Sequence, residues 1–514
     1  MASLAMGCLL FLPGARSESW PQFRGPRGDG ISAERIRTNW GVEPPRLLWK
    51  RAVTNGFSSL AVGQGKVVTQ VRSAASGSSQ EVVAAWDAET GTVVWSVPLP
   101  PVRSTLYDGG GNEGTSTNNG GDGPRSTPTV YGSRVYVLTA WLRLYCLDLG
   151  TGQIQWSKDL VSEYGGANIT WQSASSPVIE DGKVIVNANS GRQTNNLMAF
   201  RAEDGSLAWT VTGRDRMTHS TPVAATILGV RQLVVYAQTN LAGINPTNGA
   251  VLWRHACSYN GTSVAASPVV ADNLIYASAG YGTGARVVRL ARPGTVFTVS
   301  QIQRKSGELE SHWATPVHHG GYLYGLYGTK EYGSAPLKCV KLDTLEEQWS
   351  EEGFGPGGVL MAGGLLMILT DTGQLVLADP DPTAYRERAR FQAVSGKCWN
   401  VPAISNGRIY VRSTREIAAF DVSVPPPPPL RLGVPQKVAG GRLRISLGNA
   451  DGGVVEASRA GDVRVYGAGD VTAREADWEP LEQAVEAEGG VLWLETTIGT
   501  ERQRFLRAIE GPRE

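Results

Sequence analysis

The sequence predicts an all-β fold: an eight-bladed β-propeller followed by a small C-terminal β-sandwich. Three observations predict it. Six segments open with one short phrase: Ser126-Thr127-Pro128, Ser175-Ser176-Pro177, Ser220-Thr221-Pro222, Ala266-Ser267-Pro268, Ala314-Thr315-Pro316 and Asn400-Val401-Pro402. Their prolines are 49, 45, 46, 48 and 86 residues apart, the last gap being two repeats long. After each comes an apolar run, a polar or Gly-containing turn and a second apolar run. Repeats of this length made of short strands are the mark of a propeller. Second, four segments close with a shared phrase. Asp87 to Trp95, Asp148 to Trp156, Arg201 to Trp209 and Asn245 to Trp253 all carry Gly four residues before Trp. Asx/Thr-Gly makes a tight hairpin turn with φ > 0, which Gly adopts without steric cost. Third, 63 Gly and 15 Trp suit a turn-dense chain whose closing Trp packs between neighbouring blades.

The elements follow in order. Trp20-Pro21-Gln22-Phe23-Arg24-Gly25-Pro26 is an irregular arm. Leu47-Leu48-Trp49-Lys50 is a closing phrase with no repeat before it, whereas the last repeat ends at Phe420-Asp421 without a Trp strand. Residues 46–52 are therefore expected to complete the blade begun by the strand around Ile417–Phe420, which would otherwise leave an open edge. Repeat one starts near Ser58-Ser59-Leu60, and repeat seven near Val359. Asp343 to Trp349 is a closing phrase without its Gly, the fifth repeat lacks the Trp, and the seventh is expected to place Phe391 there. Asp108 to Gly123 is a Gly/Asn-rich insertion, and without it Trp95 and Trp156 stand at the common spacing. The propeller is assigned to 18–424. The proline run Pro425 to Pro429 is a stiff linker. Residues 430–514 carry short strands around Arg442–Leu447, Asp462–Tyr466 and Val491–Glu495. They read as a sandwich with Trp478, Leu481, Trp493 and Phe505 expected in its core.

A net charge of +1 without a Lys/Arg cluster argues against a nucleic-acid partner. Residues 1–17 read as a signal peptide: an apolar stretch ends at Leu9-Leu10-Phe11-Leu12 before the small-x-small site Ala15-Arg16-Ser17. An exported chain, periplasmic or extracellular, is expected, with no transmembrane segment. Cys146, Cys257, Cys339 and Cys398 fall in non-adjacent repeats, too far apart for disulfides, so four unpaired thiols are expected.

Residues just before each inner strand should line one mouth of the central channel. They are Arg125, Trp171, Ser175, His219, His312, Trp313, Trp399 and Asn400. Aromatic walls with a few polar groups suit a flat ligand; the alternative is that these side chains simply plug the channel. No metal site is expected: His318 and His319 are adjacent on a strand and point to opposite faces, and no carboxylate is spaced to join His219 and His312. Asp108, Asn112, Glu113, Asn118, Asn119 and Asp122 of the insertion lack a calcium-loop spacing and read as a surface loop. Ser220 beside His219 belongs to the repeat phrase and implies no hydrolase.

The Ser/Thr-Pro starts, the Gly-x-x-x-Trp closes and the Trp20–Pro26 opening resemble the pyrroloquinoline-quinone-like (PQQ-like) propeller repeat family. Gly321-Tyr322-Leu323-Tyr324-Gly325 and Gly396-Lys397-Cys398-Trp399 match it too. The resemblance covers roughly residues 20–424. It implies the fold, and it spans quinoprotein alcohol dehydrogenases and non-catalytic relatives of the outer-membrane assembly propeller BamB. Quinoprotein dehydrogenases of this shape typically carry a vicinal Cys pair against the quinone; this chain has neither that pair nor a Cys-x-x-Cys-His haem motif. Trp478-Glu479-Pro480-Leu481 and Arg504-Phe505-Leu506-Arg507 resemble a C-terminal sandwich module of secreted bacterial proteins. Two functions follow. The first is an exported, non-catalytic binding or assembly scaffold with a protein or small-molecule ligand at its propeller face and no cofactor. The second is a PQQ- and Ca²⁺-dependent alcohol or sugar dehydrogenase. There Trp399 would stack on the quinone and Arg125 or Lys330 would supply charge, but no Asp or Glu base stands out.

Overall fold

The computed structural model describes residues 18–74, 79–101, 123–188, 196–213, 216–257, 264–328, 334–425, 428–468, 477–480, 485–497 and 505–510. The signal-like segment, the insertion up to Asp122, and Lys330 lie outside them. The chain divides into a unit Glu18–Ser423 and a second beginning at Val424.

The first unit holds eight four-stranded antiparallel sheets. In blades one to seven the strands follow chain order from the channel outwards; blade one, for example, is Ala61–Gly63, Lys66–Arg72, Glu81–Asp87 and Val93–Pro98. The middle strands are almost wholly buried because both faces pack on neighbouring blades. Blade eight takes its first three strands, Ala403–Ser405, Arg408–Arg412 and Glu416–Asp421, from the end of the unit and its outermost, Arg46–Ala52, from the start. The register runs from Arg46 opposite Asp421 to Ala52 opposite Glu416, with an Arg46–Asp421 ion pair at 2.9 Å. The inner strand of blade one touches those of blades two and eight, so the ring closes as the orphan Trp phrase requires.

The opening phrase has a physical role. In five of its six copies the residue before Pro bears a hydroxyl that bonds to the neighbouring blade, the exception being Val401. Thr127 Oγ1 accepts from Ser59 N–H, Ser176 Oγ from Thr127 N–H, Thr221 Oγ1 from Ser176 N–H and Thr315 Oγ1 from Ser267 N–H, at 2.8–3.0 Å. Ser267 Oγ donates to Thr221 O, and Ser59 Oγ accepts from Val401 N–H. These buried groups form a girdle around the channel, satisfying backbone donors that no strand partner reaches.

The closing phrase also ties blade to blade. Gly91, Gly152, Gly205 and Gly249 have φ between 65° and 76°. A β-carbon on them would stand 2.4–2.8 Å from Trp49, Trp95, Trp156 and Trp209, each from the preceding blade. The same indoles donate to Ala88, Leu149, Ala202 and Pro246 carbonyls in the turn they cover. Gly is thus required by backbone conformation and again by the neighbouring ring. Trp253 faces a fifth blade without such a turn and bonds back to Gln232 Oε1 at 2.5 Å. The expectation for Phe391 is corrected by register. The Trp pairs with the residue just before a β-bulge, as Ala85 with Trp95 and Cys339 with Trp349. In blade seven that place belongs to Ala389, opposite Leu377. Phe391 lies two residues on, against Phe420 and Trp40.

The N-terminal arm crosses the channel end opposite the strand starts. Trp20 pairs with Val62, Pro21 O accepts from Val130 N–H, and Ser32 N–H donates to Met361 O. The buried Arg24 guanidinium donates to Thr315 O, Pro316 O and Asp29 O. Its burial lowers its pKa to about 10, against a smaller opposing effect of Asp29.

The second unit has two antiparallel sheets. One is built on Arg442–Asn449 and Val491–Thr497, the other on Val463–Ala468 and Phe505–Glu510. Ile445, Leu447, Val463, Val465, Leu492, Leu494 and Leu506 form its core. Trp493 is not in that core: strand alternation turns it away from Leu492 and Leu494, and Arg444 lies 4.4 Å over its ring. Trp478 is half-buried and outside the core, while Leu481 and the Phe505 side chain lie outside the described parts.

Candidate functional site

In blades one to six and eight the girdle residue stands two places before the inner strand, and the residue two before it faces the channel. Phe57, Arg125, Ala174, His219, Ala265, Trp313 and Trp399 hold this place in blades one to six and eight, and all seven line one cavity. Trp171, Tyr281, His312 and Asn400 add to its wall, and Phe23 reaches it from the arm. The cavity encloses about 980 Å³, counting the open solvent at its mouth.

Seven of the eight residues expected at the mouth are brought together here. Ser175 is not among the lining: it is buried one step along the chain, and Ala174 takes the lining place. The expected Ser175 was off by one position in the repeat. Phe57 and Ala265 could have been found by applying the same offset to Ser59 and Ser267. Phe23 and Tyr281, reached from the arm and from an outer loop, carry no such signal.

Five rings form a continuous arc. Centroids are 5.4 Å apart for Phe57–Trp399, 4.6 Å for Trp399–Trp313, 4.7 Å for Trp313–His312 and 5.0 Å for His312–Tyr281. The arc is held from behind. Trp313 Nε1 donates to Pro356 O at 2.8 Å, and the buried Lys397 ammonium sits 4.0 Å over the Trp399 ring, a cation–π contact. Buried Arg412 donates to the Gly56 carbonyl beside Phe57 and to Gln70 O. Burial lowers the Arg412 pKa to about 10.

Across the mouth, Trp171 and Gln172 both adopt left-handed φ values of 72° and 57°, unusual for consecutive non-Gly residues. Two neighbours pin this turn. Arg125 Nη1 donates to Trp171 O at 2.7 Å, and His219 Nε2 donates to Thr170 O at 2.8 Å. A carbonyl only accepts, so Nε2 carries the proton and Nδ1 presents its lone pair. Burial lowers the His219 pKa to about 4; the Thr170 contact opposes this and the Arg125 charge adds to it. The imidazole is therefore neutral above about pH 5. His219 Nδ1, Trp399 Nε1 and both amide atoms of Asn400 have no hydrogen-bond partner among the described residues. Arg125 is the charged residue of the described lining, which contains no carboxylate. No group of three or more His, Cys, Asp or Glu among the described residues is placed to hold a metal. The four described cysteines are unpaired and buried, and burial pushes Cys146, Cys257 and Cys339 up to about 11.

The repeat geometry and this cavity agree with a sequence comparison. Residues 79–351, over half the chain, match the PQQ-type repeat family described as outer membrane protein assembly factor BamB. The chain belongs to this family. Its BamB relatives include the outer membrane protein assembly factor BamB of Moranella endobia, 25% identical over 211 residues, covering 38% of this chain and 47% of that protein. The BamB of Yersinia pestis is 24% identical over 250 residues, 46% of this chain and 56% of its own. The chain spans about half the length of these curated BamB relatives. Among solved structures, it resembles a quinohemoprotein alcohol dehydrogenase from Comamonas testosteroni, with a TM-score of 0.55, 14% identity, and 82% and 83% of the two chains covered. A second such enzyme, from Pseudomonas putida HK5, gives a TM-score of 0.51 at 14% identity, with the same coverage of both chains. At that identity the likeness to the dehydrogenases is one of fold. No described helix is long and apolar enough to cross a membrane.

Proposed function

We propose that the protein is an exported, non-catalytic binding propeller that engages a protein or small-molecule ligand at the aromatic mouth. The chemistry of the cavity carries this reading. It offers stacking surfaces, one cation and neutral hydrogen-bonding groups, but no carboxylate among the described lining residues to serve as a base. His219, with a pKa near 4 and one nitrogen held by a carbonyl, is a weak base. The signal-like start and the names of the BamB relatives support export and an assembly role.

The dehydrogenase reading draws on the two structural likenesses. PQQ with Ca²⁺ would need oxygen ligands for the cation and a base beside the reacting hydroxyl. Trp399 and Trp313 could stack on its rings and Arg125 could meet a carboxylate. The described lining supplies no carboxylate to hold the cation or to act as the base, so it does not fit that group, and no step is derived through it. The test is to add PQQ, Ca²⁺, an alcohol and an electron-accepting dye to the purified protein. No alcohol-dependent dye reduction is expected. Reduction that disappears in Trp399→Ala would overturn the binding reading.

A further inference from the structure

The N-terminal arm meets blade eight at a buried carboxylate. Glu34 is buried, and its carboxylate accepts three hydrogen bonds, all from backbone N–H groups. Asn406 N–H donates to Oε1 at 2.6 Å and Gly407 N–H to Oε2 at 2.8 Å, both from the turn between the first two strands of blade eight. The third donor is the N–H of Glu18, 3.0 Å from Oε1. No Lys or Arg among the described residues pairs with this carboxylate. A buried charge costs a great deal unless it is paired as well as hydrogen-bonded. The Glu18 side chain fixes the third donor in place. Its Oε2 accepts from Ser32 Oγ at 2.9 Å and from Ala33 N–H at 2.8 Å, and its Oε1 from Arg27 Nη1 at 3.1 Å.

We propose that the chain is cut between Ser17 and Glu18 on export, and that the α-ammonium so created pairs with Glu34. The proposal rests on the export reading above, and two independent observations meet at this bond. The small-x-small sequence Ala15-Arg16-Ser17 directs cleavage to the bond after Ser17. The fold places the nitrogen on the other side of that bond within hydrogen-bond distance of the buried carboxylate. A peptidase that cuts after small-x-small sequences adds one water across the C–N bond. Ser17 leaves with a carboxylate, and Glu18 keeps an amine, which is protonated at neutral pH. A nitrogen with one donor hydrogen and no charge becomes one with three donors and a positive charge. Its bond to Glu34 becomes charge-assisted. Arg27 is already paired with Glu18 and Asp29, which leaves Glu34 to the ammonium. Because Glu34 also holds Asn406 and Gly407, the new terminus is tied to the blade that the two ends of the unit build together. Processing thus tightens the closure of the ring, and an uncut chain keeps only the neutral bond.

The experiment produces the full chain in a bacterial host, purifies the exported protein, and reads its intact mass and its amide hydrogen exchange. The mass is expected to give a chain starting at Glu18. A second chain carries one alanine inserted between Ser17 and Glu18. This keeps the cleavage sequence, moves the ammonium one residue away, and returns the Glu18 nitrogen to a neutral amide. Exchange at the Asn406 and Gly407 amides should then be about tenfold faster, which is what trading a charge-assisted for a neutral hydrogen bond supplies. In Glu34→Gln the same insertion should add nothing further, since no carboxylate remains to pair. A general effect of a longer terminus would appear in both backgrounds. Should Glu34→Gln fail to fold, the mass and the insertion in the otherwise natural chain still decide. An exported protein that starts at any other residue overturns the assignment. So does unchanged exchange on insertion, or equal acceleration with and without the Glu34 carboxylate. Retention of the uncut chain inside the cell sinks the export reading itself, whereas export with a different start sinks the cleavage alone.

Discussion

The Trp156 indole closes over Gly205 so tightly that a β-carbon there would stand 2.7 Å from the ring. The exception in this chain explains the rule. Blade five has no Trp, and in blade six Leu345 takes the corresponding turn position at φ 56°. Without a neighbouring indole, a side chain fits there, buried beside Ile302.

Gly205→Ala should therefore destabilise the ring by about 2–4 kcal/mol, combining the left-handed backbone with overpacking. Adding Trp156→Leu should recover the packing part and leave about 1 kcal/mol. Urea unfolding of the single and double variants checks this. Equal losses in both would show that the indole contact plays no part.

The hydroxyl girdle makes a separate prediction. Thr127→Val leaves the buried Ser59 N–H unpaired and should cost about 1–3 kcal/mol, whereas Thr127→Ser keeps the acceptor and should cost less. Hydrogen exchange at the Ser59 amide should speed up only in the valine variant.

Arg24→Lys should loosen the N-terminal arm. A lysine cannot spread its donors over Thr315, Pro316 and Asp29 carbonyls as the planar guanidinium does. A loss of about 2–4 kcal/mol is expected, with earlier proteolytic cleavage near residues 24–30. An unchanged cleavage pattern would mean the arm is anchored elsewhere.

Acid should weaken the fold through His219. The unfolded chain takes up this proton near pH 6.5, the folded one only near pH 4. Between those values the unfolded state binds more protons, so stability rises with pH. The contribution is flat above about pH 6.5 and is lost as pH falls towards 4, amounting to roughly 3 kcal/mol. His219→Gln should flatten this part of the pH profile. His255 and His318, also lowered by burial, should leave a residual slope.

The architecture was legible because its unit recurs: spacing placed the starts at Pro128 to Pro402, and an orphan closing phrase beside a last repeat without its Trp strand paired Trp49 with the last blade. The mouth was largely legible for the same reason, since one offset from the girdle residue names Arg125, His219, Trp313 and Trp399. It failed at Ser175, where two consecutive serines, Ser175 and Ser176, hid the phase. It failed again at Phe391, because a β-bulge shifts register by a residue and bulges leave little trace in composition. Trp493 was misplaced because size was read ahead of strand alternation. Phe23 could not be read at all: its place in the cavity depends on an arm that crosses the channel, and no periodic pattern encodes a crossing.

The shared eighth blade also sets a timetable. Arg46–Ala52 is made early, and its partner Glu416–Asp421 follows after 363 intervening residues. At usual elongation rates that wait is about 20–70 s. Throughout it, the nascent protein is an open arc with two raw ends, each a template for a stray strand. Closure is consequently a late, long-range event that a frameshift or stalled ribosome anywhere upstream of Glu416 would forestall, leaving at most seven finished blades and no ring.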